Sequence, residues 1–295
     1  MSLYEVSSEQ ISIQVDSMGA ELKSLIKKDT GTEYMWEGDP QYWKRTSPVL
    51  FPFVGSLSNG VYSIGDKSYP MGQHGFARDM EFQLKSQREQ EIWFELKSNA
   101  QTLEKYPYAF VLEIGYELLG NSVKVKWKVT NPSDGTMYFS IGGHPAFRCP
   151  IVQGENQEDY KIWLDAKEQS GKKEVLSGVI KEGLMSSELS VYKLEDGCIG
   201  ITEHLFDGDA LVIEHHQVQN VALVRPDGSR YLTVSFEAPL FGIWSPPGKK
   251  APFICIEPWY GRCDKLDFAG TLEDREWGQC LEAGKSFEAS YEIQV

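Results

Sequence analysis

Strands announce themselves along this chain by strict alternation. In "VLEIGYELLGNSVKVKWKVTN" (111–131), Val123, Val125, Trp127 and Val129 alternate with Lys124, Lys126 and Lys128 after a Gly120-Asn121 turn, which predicts a hairpin with one buried face. "GVYSIGDKSYPM" repeats the plan around Gly65-Asp66, and "NVALVRPDGSRYLTVSFE" does so around Asp227-Gly228. Strand after strand at close spacing marks an all-β sandwich or barrel. Helical periodicity is scarce. "NAQTLEKYP" predicts one short helix and "TLEDREWGQC" a second, while 166–190, the most polar and least periodic stretch, predicts a long loop with one weak strand. No Gly/Ser/Pro linker and no fixed-period repeat divides the chain, so 1–295 reads as a single domain.

Composition narrows the function classes. With 29 basic and 43 acidic residues among 295, a net charge of -14 disfavours nucleic acid and anionic membranes as partners. The start of the chain lacks a basic and apolar leader, and no stretch reaches the roughly 18 apolar residues of a membrane span. Five cysteines, at 149, 198, 255, 263 and 280, form no CxxC pair, so neither a disulfide framework nor a zinc site is expected, and a cytoplasmic location is. GxSxG, phosphate-loop, HExxH and dinucleotide patterns are absent, which leaves acid/base chemistry without a cofactor or metal.

Candidate chemistry collects in four stretches, "YWKRTSPVLFPFVG", "QHGFARD", "GGHPAF" and "FICIEPWYG". His74 and His144 stand among glycines, displayed rather than packed, whereas His215 in "DALVIEHHQ" has the apolar flanks of a strand histidine. Adjacent strand residues face opposite ways, so His215 and His216 cannot share an ion. The run Phe253 to Ile256 delivers Glu257, and Pro258 is expected to end the strand there. Trp259 and Tyr260 would desolvate that carboxylate and raise its pKa toward the range of a useful base. Aromatic surface beside polar groups also suits a sugar, whose C–H faces stack on rings while its hydroxyls take hydrogen bonds.

In order and spacing, "SPVLFPFVGSLSNG", "QHGFARD", "GGHPAF", "LFDGDALVIE" and "FGIWSPPGKKAPFICIEPWYG" resemble the aldose 1-epimerase (galactose mutarotase-like) superfamily, most closely its LacX-type branch. The resemblance runs from "GAELKSL" to the final strand. It implies one large β-supersandwich and a cofactor-free isomerase, a mutarotase that interconverts α and β anomers of an aldose. Carried over by motif, Glu257 is the base and His144 the general acid. His74, Arg45 and Asp209, with Asp207 as the alternative aspartate, hold the sugar, as does Trp244 in "FGIW". Arg78 resembles the arginine of the hexose-phosphate branch. The classical galactose enzymes carry an Asn-Arg pair where this chain has "FPFVGSLSNG", so galactose specificity does not transfer. The expected partner is a small-molecule sugar, with a homodimer compatible. A hexose-6-phosphate mutarotase, served by Lys44, Arg45, Arg78 and Arg148, and a non-catalytic carbohydrate-binding protein are the alternatives.

Overall fold

The computed structural model describes residues 2–166 and 171–295. Its frame is two antiparallel sheets, of nine and eight strands, with a four-stranded sheet built from residues 3–33 and two short strand pairs beside them. Alternation along each strand assigns its faces. In the nine-stranded sheet Ile92, Phe94, Ile114, Val125 and Trp127 enter the main core, and in the eight-stranded sheet Ile141, Ile213, Phe241, Ile243, Ile254 and Ile256 meet them. The layers bury one continuous apolar interior between them. The three hairpins predicted by alternation pair in the expected registers, with Val123 opposite Leu118, Tyr62 opposite Tyr69 and Val234 opposite Val221.

Helix is as rare as the sequence predicts. Ala100–Lys105 is an α-helix capped by Asn99, whose side chain accepts the Thr102 N–H. "TLEDREWGQC" departs from expectation, because only Leu272–Asp274 turns, and it does so as a 3-10 turn. A Thr271–Asp274 capping box starts it. The segment read as a loop is a long hairpin, Glu174–Lys181 against Leu184–Lys193, apart from 167–170, which lie outside the described residues. Glu182 and Gly183, with φ of 54° and 79°, make its two-residue turn, as a hairpin with the right-handed twist requires. Leu184–Lys193 is the last strand of the eight-stranded sheet, and its partner Glu174–Lys181 buries Val175 and Ser177 but exposes Glu174 and Leu176. One exposed face and Gly178 blur the pattern.

Two further expectations need correction. His215 and His216 are not strand residues, since the strand is Leu211–Ile213 and both histidines follow it at φ of 65° and 50° in a turn. Glu257 does not end its strand, which runs on from Phe253 to Tyr260. Pro258 is tolerated because of a gap in the neighbouring ladder. On that side Ile141–Gly143 pairs Trp259 and Tyr260, Ala146–Arg148 pairs Phe253 to Cys255, and His144 and Pro145 interrupt the two. Ile256 donates to Pro145 there, and two residues on, the missing N–H of Pro258 faces the same interruption.

Candidate active site

On the face of the eight-stranded sheet turned away from the core, Phe253, Cys255, Glu257 and Trp259 line up at alternate positions. Tyr260 points the other way, against the main core, so only Trp259 shares the face of Glu257. The Trp259 indole lies flat across the neighbouring strands because both supply glycine. A Cβ on Gly242 would sit 2.5 Å from its ring and one on Gly142 2.6 Å. Over this floor opens a cavity of about 540 Å³ whose walls include His74, Arg78, His144, Asp209, Trp244, Glu257 and Trp259.

His144 is set by the interruption between its two short strands, with its N–H on Pro48 O at 3.1 Å. Trp43 stacks on its ring at 4.6 Å between centroids, while Trp244 and His74 meet it edge-on at 5.4 and 5.7 Å. Its Nε2 lies 3.3 Å from Glu257 Oε1. His74 comes from a tight turn in which both it and Gly75 have positive φ, 66° and 69°. Glycine is required at 75, where a Cβ would stand 2.3 Å from Phe51 O. The Gly55 N–H donates to His74 Nδ1 at 3.1 Å, so the ring is neutral and carries its proton on Nε2. Asp209 sits at φ of 77° and accepts the Ala210 N–H at 2.8 Å.

Burial governs the charges. It pushes the Glu257 carboxyl well above its ordinary range, with Asp209 adding repulsion, and pushes His144 down to about 3, with Arg78 adding repulsion. His74 is held well below its usual value by burial and then by His144. Burial and Arg45 lower Arg78 to about 10, still charged at neutral pH. Seven buried side-chain polar atoms lack a hydrogen-bond partner among the described residues, and four of them, on Arg78, His144, Glu257 and Trp259, belong to this cavity. Such groups are rare in folded proteins, and their concentration marks a place built to bond something else.

Most of the expected residues meet here, and Asp209 is the aspartate whose charge reaches Glu257. Asp207 lines the cavity from an exposed position where it binds His204 Nδ1 at 2.8 Å. Arg45 does not reach the wall. Its Nη2 donates to Asp79 at 2.8 Å, and Arg78 occupies the wall with Nη2 on Gln73 O. The reading of the residues did not single out Trp43, Gln73 and Glu182. Trp43 stood two residues from the chosen arginine, and Glu182 belongs to the hairpin mistaken for a loop.

The sequence model for aldose 1-epimerase matches residues 2–294. The chain belongs to the aldose 1-epimerase family. It is 34% identical over 279 residues to the chromosomal LacX protein of Lactococcus lactis subsp. lactis, covering 92% of each chain. A galactose mutarotase related enzyme from Lactobacillus acidophilus superposes with a TM-score of 0.92 at 33% identity, over 99% of this chain and 97% of that one. A galactose mutarotase-like protein from Lactobacillus casei gives 0.92 at 28% identity, over 99% of both. The fold is the galactose mutarotase-like β-sandwich.

Proposed function

We propose that this family member is a mutarotase, which opens and recloses the hemiacetal of a neutral aldose by acid/base catalysis. The observation that carries the reading is the buried pair His144 and Glu257, 3.3 Å apart on the floor of a tryptophan-lined cavity. Mutarotation removes the proton of the C1 hydroxyl and delivers one to the ring oxygen. C1 then turns about the opened bond, and the steps reverse on the other face. Glu257 takes the hydroxyl proton and His144 supplies the other. His74 donates from Nε2, and Asp209 and Arg78 orient the remaining hydroxyls.

The pair needs one proton between its two members. Burial favours the form in which both are neutral, with the proton on Glu257. The reactive form, carboxylate beside imidazolium, has the same proton count and differs by one transfer across 3.3 Å. A sugar hydroxyl donating to Glu257 stabilises the carboxylate and so draws the proton to His144. No external acid is consumed.

Charge on the wall favours neutral sugars over sugar phosphates. Arg78 is the cation among the lining residues, against Glu182, Asp207 and Asp209. Arg148 is engaged by Glu37 at 3.4 Å, Arg45 by Asp79, and Lys44 is exposed, none of them on the wall. Polarimetry on freshly dissolved α-glucose, α-galactose and their 6-phosphates tests both statements. Rates above buffer with the free sugars are expected. Acceleration of the 6-phosphates alone would reverse the choice of substrate, and binding of sugars with no acceleration would make the protein a carbohydrate binder.

A further inference from the structure

Cys255 lies two residues before Glu257 on the same face of the strand and is fully buried. With His144 and Glu257 it forms the group in which, among the described residues, three metal-ligating atoms come within 4.8 Å of one another. A tetrahedral zinc ion bonded at about 2.0–2.1 Å to nitrogen and oxygen and about 2.3 Å to sulfur keeps its ligand atoms roughly 3.3–3.5 Å apart. His144 Nε2 and Glu257 Oε1 already stand at 3.3 Å. Both side chains are more than nine-tenths buried, at 7% and 1% exposure, and each has a second polar atom, Nδ1 and Oε2, with no partner.

We infer that the floor of this cavity is a zinc site, with Cys255 Sγ, an imidazole nitrogen of His144 and the Glu257 carboxylate as three ligands. The fourth position opens to the cavity and takes water. One sulfur, one nitrogen and one oxygen suit Zn²⁺, whereas Mg²⁺ and Ca²⁺ require oxygen donors. Binding replaces the thiol proton of Cys255 and the carboxyl proton of Glu257 with bonds to zinc and releases both protons to solvent, with no change of oxidation state. The ion occupies the lone pairs that would otherwise move the sugar's protons, so zinc and turnover exclude each other. The site rests on geometry alone, and the exclusion rests on the proposed mutarotase activity.

Titration of the chelator-treated, full-length protein with Co²⁺ reads the ligand set directly. Wild type should develop a thiolate-to-cobalt charge-transfer band and the intense visible bands of a tetrahedral ion, erased by Zn²⁺ and untouched by Mg²⁺. Cys255→Ala should abolish the charge-transfer band and weaken zinc binding at least about tenfold. Cys263→Ala and Cys280→Ala should retain both. His144→Asn, altered in the cavity wall rather than beneath it, should lose the tetrahedral visible intensity and serves if Cys255→Ala fails to fold. A wild type without the cobalt–thiolate band, or a band that survives Cys255→Ala, overturns the site. Zinc uptake that leaves sugar turnover unchanged overturns the exclusion, and zinc uptake by a protein with no turnover overturns the mutarotase reading while supporting the site.

Discussion

The chain writes Glu-x-Trp twice at strand positions, Glu91-Ile92-Trp93 on the nine-stranded sheet and Glu257-Pro258-Trp259 on the eight-stranded one. Both times glutamate and tryptophan share the face turned from the core, and the indole lies over a neighbouring strand's glycine. A Cβ on Gly115 would meet Trp93 at 2.5 Å, the separation found for Gly242 and Trp259. The two carboxylates nevertheless shift in opposite directions. Glu91 is held below its ordinary value, first by the Trp93 indole N–H and then, against some burial, by Lys126, whose Nζ lies 3.2 Å away. Glu257 is pushed far up by burial and by Asp209, and no lysine or arginine forms an ion pair with it among the described residues. A common packing device thus becomes the floor of a cavity where the carboxylate is buried and the cation is replaced by a histidine.

Exchanging carboxylate for amide at the two glutamates should separate them by orders of magnitude. Glu257→Gln preserves shape but removes the proton acceptor, and kcat for mutarotation should fall on the order of 10²–10⁴-fold with sugar affinity changed modestly. His144→Asn should behave likewise. Glu91→Gln should leave kcat at the wild-type value. The wild-type rate should form a bell against pH, falling on the acid side when the pair takes a second proton and on the alkaline side when it loses its only one. Polarimetric progress curves decide the matter, and a Glu257→Gln enzyme that retains most of its kcat removes Glu257 as the base.

Alanine at the two supporting glycines sharpens the contrast. Gly115→Ala and Gly242→Ala each force a ring off a β-sheet, an overpacking that typically costs about 1–3 kcal/mol. Both should melt earlier. Only Gly242→Ala should also lose turnover, by roughly tenfold or more, since the displaced Trp259 forms the floor of the cavity. Equal loss of activity in both variants would mean that the defect is general loosening rather than a shifted site.

These particulars explain what could be read from sequence. Alternation revealed the hairpins because one face of each is buried, and it failed at Glu174–Lys193, where an edge hairpin buries little and contains Gly178. The histidines and Glu257 were legible because glycine-rich turns and an apolar run set them apart from core. The strand around Pro258 was misread because the gap that admits a proline lies in a distant segment, at His144 and Pro145. Arg45 was preferred over Arg78 as the galactose-type sugar contact for the same reason. Its partner Asp79 comes from 34 residues away, and local sequence does not say that this aspartate will hold Arg45 at 2.8 Å and Arg78 only at 3.8 Å.

The smallest expected effect discriminates by its sign. A carboxyl whose folded pKa is raised contributes stability that is complete below its unfolded pKa and is lost as pH climbs through the raised value, so Glu257 weighs against folding at neutral pH. Glu257→Gln should therefore melt above wild type at pH 8, with the gap closing toward pH 4. A carboxyl whose folded pKa is depressed does the reverse, contributing above its unfolded pKa and losing that contribution as pH falls. Glu91→Gln should melt slightly below wild type at pH 8, by no more than the roughly 0–1 kcal/mol of a partly exposed ion pair, and match it in acid. At about 2–4 °C per kcal/mol for a chain somewhat smaller than this, both gaps suit differential scanning calorimetry. Two Glu→Gln changes on the same Glu-x-Trp pattern would then move the melt in opposite directions. If Glu257→Gln instead melts below wild type at pH 8, Glu257 is ionised and well solvated in the resting protein, and the contrast in protonation between the two sheets fails.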